Sequence, residues 1–170
     1  MDAAALRTLQ APLKEQYRSE PLAAVITLKA QGTLDDQHIA CKVETGRALA
    51  VAGLHPATGG SGAELCSGDM LLEALVACAG VTLKAVATAL EIPLRHGTVK
   101  AEGDLDFRGT LGVDKSAPVG FREIRIGFDL DTDASDRELA ALARHTERYC
   151  VVWQSLRQPL EGSVSITRAG

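Results

Sequence analysis

The chain has 170 residues, a formal net charge of −4 and 4% aromatic residues. This length suits one domain, and an interior so poor in aromatic residues must be built mainly from Leu, Val, Ile and Ala. No long basic run is present, which argues against binding to nucleic acid or to an acidic membrane. The first residues lack a basic stretch followed by an apolar one, so we expect a cytoplasmic protein with mostly reduced thiols.

The first part of the sequence predicts a helix followed by a β-hairpin. Residues 5–19 have a helical composition, although Pro12 favours a late start or a kink. Residues 22–30 and 37–44 are rich in Val, Ile and Thr. Because the residues between them, 32–36, are typical of a turn, the two segments are expected to pair as a hairpin.

A long apolar helix is predicted over residues 69–90, after a short strand at 47–52 and a Gly- and Pro-rich loop at 55–62. Apolar residues recur in it at spacings of three and four, and the remaining surface is also mostly Ala, Val and Leu. Such a helix is buried on most sides. Three charged residues shorten the apolar run below the roughly 20 residues that a membrane span needs: Asp69, Glu73 and Lys84. We therefore expect a central helix wrapped by a sheet or by a second subunit.

The second part of the sequence predicts two strands, two helical pieces and a last strand. Residues 99–107 and 123–131 alternate apolar and polar side chains, which indicates strands with one face on the core and one in water. Asp106 is among the residues expected to face water. Ser135 opens a capping box and thus a helix, a second helical piece follows, and residues 162–168 are expected to form a closing strand. Strands and helices grouped in blocks indicate an α+β fold.

The candidate reactive residues of the chain are its four cysteines: Cys41, Cys66, Cys78 and Cys150. They show no C-x-x-C spacing and the histidines are scattered, so a structural zinc site is unsupported. Inert buried thiols and a redox pair both remain open. Arg148 precedes Cys150, and its guanidinium would either lower the pKa of that thiol or serve the end of a helix.

Further alternatives concern single residues. Cys66 precedes the long helix, whose dipole would favour a thiolate, although an ordinary loop thiol is the simpler interpretation. Cys78 lies among small residues that suit core packing but also let a ligand come close. His145 lies shortly before Cys150 and would support acyl or sulfur transfer, yet a solvated helix residue explains it more simply.

Two segments resemble the signature of the OsmC/Ohr family. In residues 67–78, SGDMLLEALVAC, a polar stretch opens the helix and a cysteine follows about three turns in. Residues 147–152, ERYCVV, resemble the family's second cysteine segment, and segments 101–109 and 118–121 resemble its strand-loop-strand insert. The resemblance covers the chain from about residue 25 to its C-terminus.

The resemblance implies an OsmC-like α+β fold, in which antiparallel sheets wrap around a long buried central helix, and an intertwined homodimer. Residues 1–21 would be an N-terminal helical extension, and residues 22–170 a single OsmC-like domain.

The function that the resemblance implies is a thiol-dependent peroxidase that reduces organic hydroperoxides in oxidative-stress defence, without metal, flavin or other cofactor. Cys78 would be the attacking thiol and Cys150 the resolving thiol, with Asp69 near the place of a family Glu. The sulfenic acid on the first thiol condenses with the second, and an external dithiol reduces the disulfide. The partners would be a second copy of the chain and a small apolar hydroperoxide.

Two departures from the family pattern keep an alternative open. The first hairpin turn of the family carries an Arg that holds the thiolate, and residues 32–37 contain none; Arg47 and Arg148 are possible substitutes. The Pro that usually follows the second cysteine is replaced by Val151. The alternative is a non-catalytic OsmC-like protein that binds a small hydrophobic ligand at the dimer interface.

Overall fold

In a computed structural model of the chain, the described residues are 3–34, 41–43, 52–63, 65–159, 161–166 and 168. The end of the predicted hairpin turn and Arg47 lie outside these ranges.

Helices and strands are both present, which confirms the α+β class. The helices are α1 (Ala3–Ser19), α2 (Ser67–Ala89), α3 (Phe107–Thr110), α4 (Asp136–Tyr149) and α5 (Val151–Arg157). The strands are β1 (Val25–Leu34), β2 (Cys41–Val43), β3 (Ala52–Gly53), β4 (Leu65–Cys66), β5 (His96–Asp106) and β6 (Phe121–Asp131). Short 3-10 turns occupy Pro21–Ala24 and Pro56–Thr58.

In the described part of the chain, four strands form an antiparallel sheet in the order β2-β1-β5-β6. The pairing of β1 with β2 confirms that the two segments pair, but residues 32–34, which were expected in the turn, belong to β1 and pair with residues 41–43. Strand β1 begins at Val25 because Pro21–Ala24 forms a 3-10 turn. Apolar side chains alternate as predicted, so Val99 and Ala101 are fully buried. This face of the sheet packs against α2.

Helix α2 is the centre of the core, as predicted. Four of its large side chains, Leu72, Leu75, Val76 and Leu83, are at most 1% exposed, and the sheet, α4 and α5 pack around them. Burying each such side chain stabilises the fold by about 1.5–3 kcal/mol. Length and composition would also let α2 cross a membrane, but a core helix meets the same criteria and this one packs against the sheet.

Helix α1 is fixed to the rest of the fold by its middle and its last turn. Tyr17 is 3% exposed and its hydroxyl donates a hydrogen bond to the Ala57 carbonyl oxygen at 2.7 Å. Gln10 Nε2 donates to the Thr58 carbonyl oxygen at 3.1 Å. Since α1 begins at Ala3 with Pro12 inside it, the expectation of a late start is wrong.

The predicted closing strand is wrong in its described residues. Residues 161–166 form no strand, and Val164 and Ile166 are 94% and 95% exposed. Their alternating pattern suits a strand, but a strand also needs a neighbour with which to form hydrogen bonds. None of the strands described above pairs with this segment.

Asp106 corrects another expectation, because it is 1% exposed instead of facing water. It ends β5 and caps α3, where Oδ1 accepts a hydrogen bond from the Arg108 backbone N–H at 3.1 Å. The Arg108 guanidinium covers the carboxylate, with Nη2 2.6 Å from Oδ2. Hydrogen bonds from Arg108 lower the pKa of Asp106, and burial opposes them.

We expect Asp106→Asn to lower the free energy of unfolding by about 1 kcal/mol at pH 7, because it removes a charged hydrogen-bond partner. The folded pKa of Asp106 is lowered, so its contribution is present above the ordinary Asp pKa of about 3.9 and is lost as the pH falls through the folded pKa. When urea unfolding is measured at pH 7 and at pH 3, the free energy of unfolding should fall less in the variant than in the wild type.

Asp129→Asn is the matched control, since that side chain is 80% exposed and 3.5 Å from Lys100. Exposed pairs contribute little, so this variant should unfold like the wild type. Equal effects of the two substitutions would contradict a stabilising role for the Asp106–Arg108 pair.

Candidate active site

Cys78 and Cys150 are brought together by the junction between α4 and α5. Cys78 lies in the middle of α2 and is half-buried. Cys150 separates the two later helices, with an extended backbone at φ −71° and ψ 107°. This break turns the chain across α2, and Cys150 is 1% exposed.

Several donors surround the Cys78 sulfur. The backbone N–H groups of Val151 and Val152, the Cys150 thiol and the Thr82 hydroxyl lie near enough to lower its pKa as hydrogen-bond donors. The first N–H groups of a helix have no partner within the helix. Because α5 begins at Val151, its first two N–H groups are free to serve this sulfur.

The two thiols have opposite electrostatic environments. Burial alone would raise the pKa of Cys78, but the hydrogen bonds from Val152, Cys150, Val151 and Thr82 together hold it below its ordinary value. Burial raises the pKa of Cys150 to about 11, and the neighbouring Cys78 adds to this effect. The backbone N–H groups of Trp153, 3.5 Å from Cys150 Sγ, and of Val152 lower this pKa but do not cancel the effect of burial. The arrangement therefore favours a thiolate at Cys78 and a protonated thiol at Cys150.

The side chains of Arg148 and His145 both lie against Tyr149. The Arg148 guanidinium lies 5.6 Å from the ring centroid of Tyr149, and the groups that shift the pKa of the two thiols do not include it. An effect of this guanidinium on the pKa of Cys150 stays a prediction. His145 stacks on the same ring, with centroids 5.9 Å apart, as expected of a helix-surface residue.

Asp69 and Cys66 lie at the N-terminal end of α2, away from the thiol pair. Asp69 precedes Cys78 by nine residues, which is about 13.5 Å along a helix. Burial raises the pKa of Asp69, and His55 partly offsets this effect. Cys66 lines a separate cavity of about 410 Å³ together with His55 and Phe107. A catalytic role for Asp69 stays a prediction.

Sequence reasoning missed the backbone donors. Main-chain N–H groups carry no signature of their own, yet the sequence contained one signal. A Pro at position 151 would have no N–H, and Val151 supplies one.

As for metals, within the ranges that the structure describes no three His, Cys, Asp or Glu side chains are grouped as potential ligands.

The fold and the thiol pair together define an α+β dithiol protein built around a buried helix. A family model described as "OsmC-like protein" matches residues 60–165, and the chain belongs to this family. The resemblance predicted from the sequence is thereby confirmed.

Solved structures of low sequence identity share the fold. An OsmC-like hydroperoxide resistance protein from Jannaschia sp. CCS1 is 17% identical with a TM-score of 0.60, over 85% of this chain and 95% of that one. An OsmC-like protein from Mycoplasma pneumoniae is 16% identical with a TM-score of 0.53, over 78% and 85%. No curated protein matches the sequence.

Proposed function

We propose that this protein is a thiol-dependent peroxidase for organic hydroperoxides, with Cys78 as the attacking thiol and Cys150 as the resolving thiol. The observation that carries the proposal is the influence of the two thiols on each other, with the Cys150 thiol and backbone N–H groups of α5 lowering the pKa of Cys78. Family membership supports it, as does the similarity to a protein named for hydroperoxide resistance.

In the first step, the Cys78 thiolate attacks the terminal oxygen of the hydroperoxide. A sulfur–oxygen bond forms, the oxygen–oxygen bond breaks, and an alkoxide leaves and takes up a proton to become the alcohol. Cys78 is oxidised to the sulfenic acid while the peroxide is reduced by two electrons. The thiolate is the reactive form, so the hydrogen bonds that stabilise it set the fraction of active protein at neutral pH.

In the second step, the Cys150 sulfur attacks the sulfenic sulfur of Cys78. A disulfide forms and water leaves with the proton of the Cys150 thiol. Because Cys150 is buried and its pKa is about 11, it is a poor nucleophile toward a peroxide in solution. Its position beside Cys78 restricts it to the resolving role, and an external dithiol then reduces the disulfide.

The backbone donors take the place of the cation that the hairpin turn lacks. Thiolate stabilisation requires positive charge or hydrogen-bond donors near the sulfur. Val151 and Val152 supply two such donors from the start of α5. In this proposal, the change from Pro to Val at position 151 compensates for the missing Arg.

A second copy of the chain is part of the proposal. The surface of α2 exposes Leu71 and Val81, 37% and 39% respectively, although this helix is apolar nearly all round. A homodimer would cover this face, and we place it in the cytoplasm, where dithiol reductants are present.

The test is consumption of cumene hydroperoxide by the reduced protein with dithiothreitol as the electron donor. We expect many turnovers per protein, and Cys66→Ser should leave the rate unchanged because Cys66 lies in a different cavity. Consumption no faster than with dithiothreitol alone would contradict the proposal and favour a non-catalytic binding protein.

A further inference from the structure

Thr82 lies one turn after Cys78 on the central helix. Residues four apart on an α-helix are neighbours on one face, and both positions fall well inside α2 (Ser67–Ala89). Both residues are half-buried, so each keeps part of its surface open to solvent. A small molecule that reaches the Cys78 sulfur therefore meets the Thr82 side chain as well.

The hydroxyl of Thr82 is not bound to the backbone of its own helix. A Thr inside a helix can donate a hydrogen bond to the carbonyl oxygen four residues earlier, as the Thr88 hydroxyl does to Lys84 at 2.8 Å. Within the described ranges, Thr82 forms no such bond. Its hydroxyl lies instead near enough to the Cys78 sulfur to act on it as a hydrogen-bond donor.

The donors around the Cys78 sulfur differ in how freely they turn. The N–H groups of Val151 and Val152 are fixed by the backbone of α5, and the Cys150 thiol is a weak donor. The Thr82 hydroxyl rotates about its C–O bond, and it can both donate and accept. Among these four groups, it is the strong donor that can change its acceptor during a reaction.

The first chemical step moves negative charge from one atom to another. While the sulfur–oxygen bond forms and the oxygen–oxygen bond breaks, the charge passes from the Cys78 sulfur to the leaving oxygen of the hydroperoxide. Donors fixed on the sulfur raise the fraction of thiolate, whereas a donor directed at the developing charge lowers the barrier itself. A hydroxyl that turns from the sulfur to the leaving oxygen acts in the second way.

We propose that Thr82 is a catalytic residue whose hydroxyl holds the hydroperoxide and donates a hydrogen bond to its leaving oxygen. Cys78 is oxidised to the sulfenic acid, the peroxide is reduced by two electrons, and the leaving alkoxide takes its proton from water. The Thr82 hydroxyl keeps its own proton and is ready for the next turnover. This role rests on the proposed peroxidase function and assigns the group that binds the reacting end of the substrate.

The test compares two electrophiles that react with the Cys78 thiolate. Cumene hydroperoxide releases an oxygen whose charge needs a hydrogen bond, whereas iodoacetamide releases iodide, which does not. Thr82→Val removes the hydroxyl and keeps the shape of the side chain, and Thr82→Ser keeps the hydroxyl. For each reduced full-length protein, we would measure Cys78 alkylation by peptide mass spectrometry and hydroperoxide consumption in a single turnover, both as a function of pH.

With iodoacetamide, Thr82→Val should react more slowly than the wild type at pH 7, because the loss of a donor raises the pKa of Cys78. The two proteins should react equally at high pH, where Cys78 is ionised in both. With the hydroperoxide, a deficit of about tenfold should remain at high pH, as expected for one hydrogen bond to a developing charge. Thr82→Ser should restore both rates.

Thr88→Val is the matched control, because it makes the same change on the same helix at an exposed hydroxyl that is bound to the backbone. It should change neither rate. Equal hydroperoxide rates of Thr82→Val and the wild type at high pH would overturn the proposal, as would a Thr82→Ser variant as slow as Thr82→Val. Both results would leave the peroxidase function in place, whereas a wild type that is alkylated at Cys78 but consumes no hydroperoxide would refute that function and this role with it.

Discussion

Cys78→Ser is expected to lower the rate of cumene hydroperoxide consumption by about 1000-fold or more, because the hydroxyl that replaces the thiolate is a far weaker nucleophile. The substitution is nearly isosteric, so the helix around position 78 should keep its packing. Peroxide remaining over time, measured with dithiothreitol as the donor, gives the rate. A variant that consumes peroxide like the wild type would exclude Cys78 as the attacking thiol.

Cys150→Ser separates the two chemical steps. It leaves the attacking thiol in place, so one equivalent of peroxide should still be reduced at each site. The sulfenic acid then has no neighbouring thiol with which to condense, and dimedone should trap it on Cys78. If the trapped label appears on another cysteine, the assignment of the attacking thiol is incorrect.

The second large effect is expected from Val151→Pro, which removes one N–H donor to the Cys78 sulfur. The site tolerates Pro well. Position 151 is the first residue of α5, where Pro is favoured, and Cys150 already has the extended conformation that precedes a Pro. The Val151 side chain is also 70% exposed, so its replacement costs little packing.

We expect Val151→Pro to raise the pKa of Cys78 and to slow peroxide consumption at pH 7 by about tenfold. A hydrogen bond to a charged group is worth about 1.5 kcal/mol or more, and about 1.4 kcal/mol corresponds to a factor of ten. The rate of Cys78 alkylation by iodoacetamide against pH measures the change. The difference should shrink at high pH, where Cys78 is ionised in both proteins.

Val151→Ala is the control for this experiment, since it shortens the side chain and keeps the N–H. It should retain the alkylation profile of the wild type. If Val151→Pro also retains it, the backbone of α5 does not activate Cys78, and the lowered pKa must have another source.

Local patterns predicted most of the fold, because each depends on neighbouring residues. The capping box at Ser135 begins α4 as predicted, and the alternation in 99–107 gives the buried face of β5. The wrong predictions depend on contacts that a local sequence pattern does not report, either with a distant part of the chain or within one particular turn. Residues 161–166 have strand-like alternation without a partner strand, and Asp106 is buried because Arg108 folds back over it.

The thiol pair was predicted from the family resemblance and not from a local sequence pattern. The spacing of Cys78 and Cys150 says nothing about their proximity, and the family resemblance supplied that expectation. Their contact depends on the packing of α2 against α5, which is a tertiary property. The backbone donors of Val151 and Val152 depend on where one short helix begins, and residue type alone does not give that position.

The central claim is that Cys78 and Cys150 form one redox pair, and the most direct test is a disulfide map. The reduced protein is treated with one equivalent of cumene hydroperoxide, free thiols are blocked, and the digest is analysed by mass spectrometry without reduction. The account predicts the loss of two thiols and a peptide pair joined through Cys78 and Cys150. Thiols that all remain free, or a disulfide that includes Cys66 in place of Cys150, would contradict it.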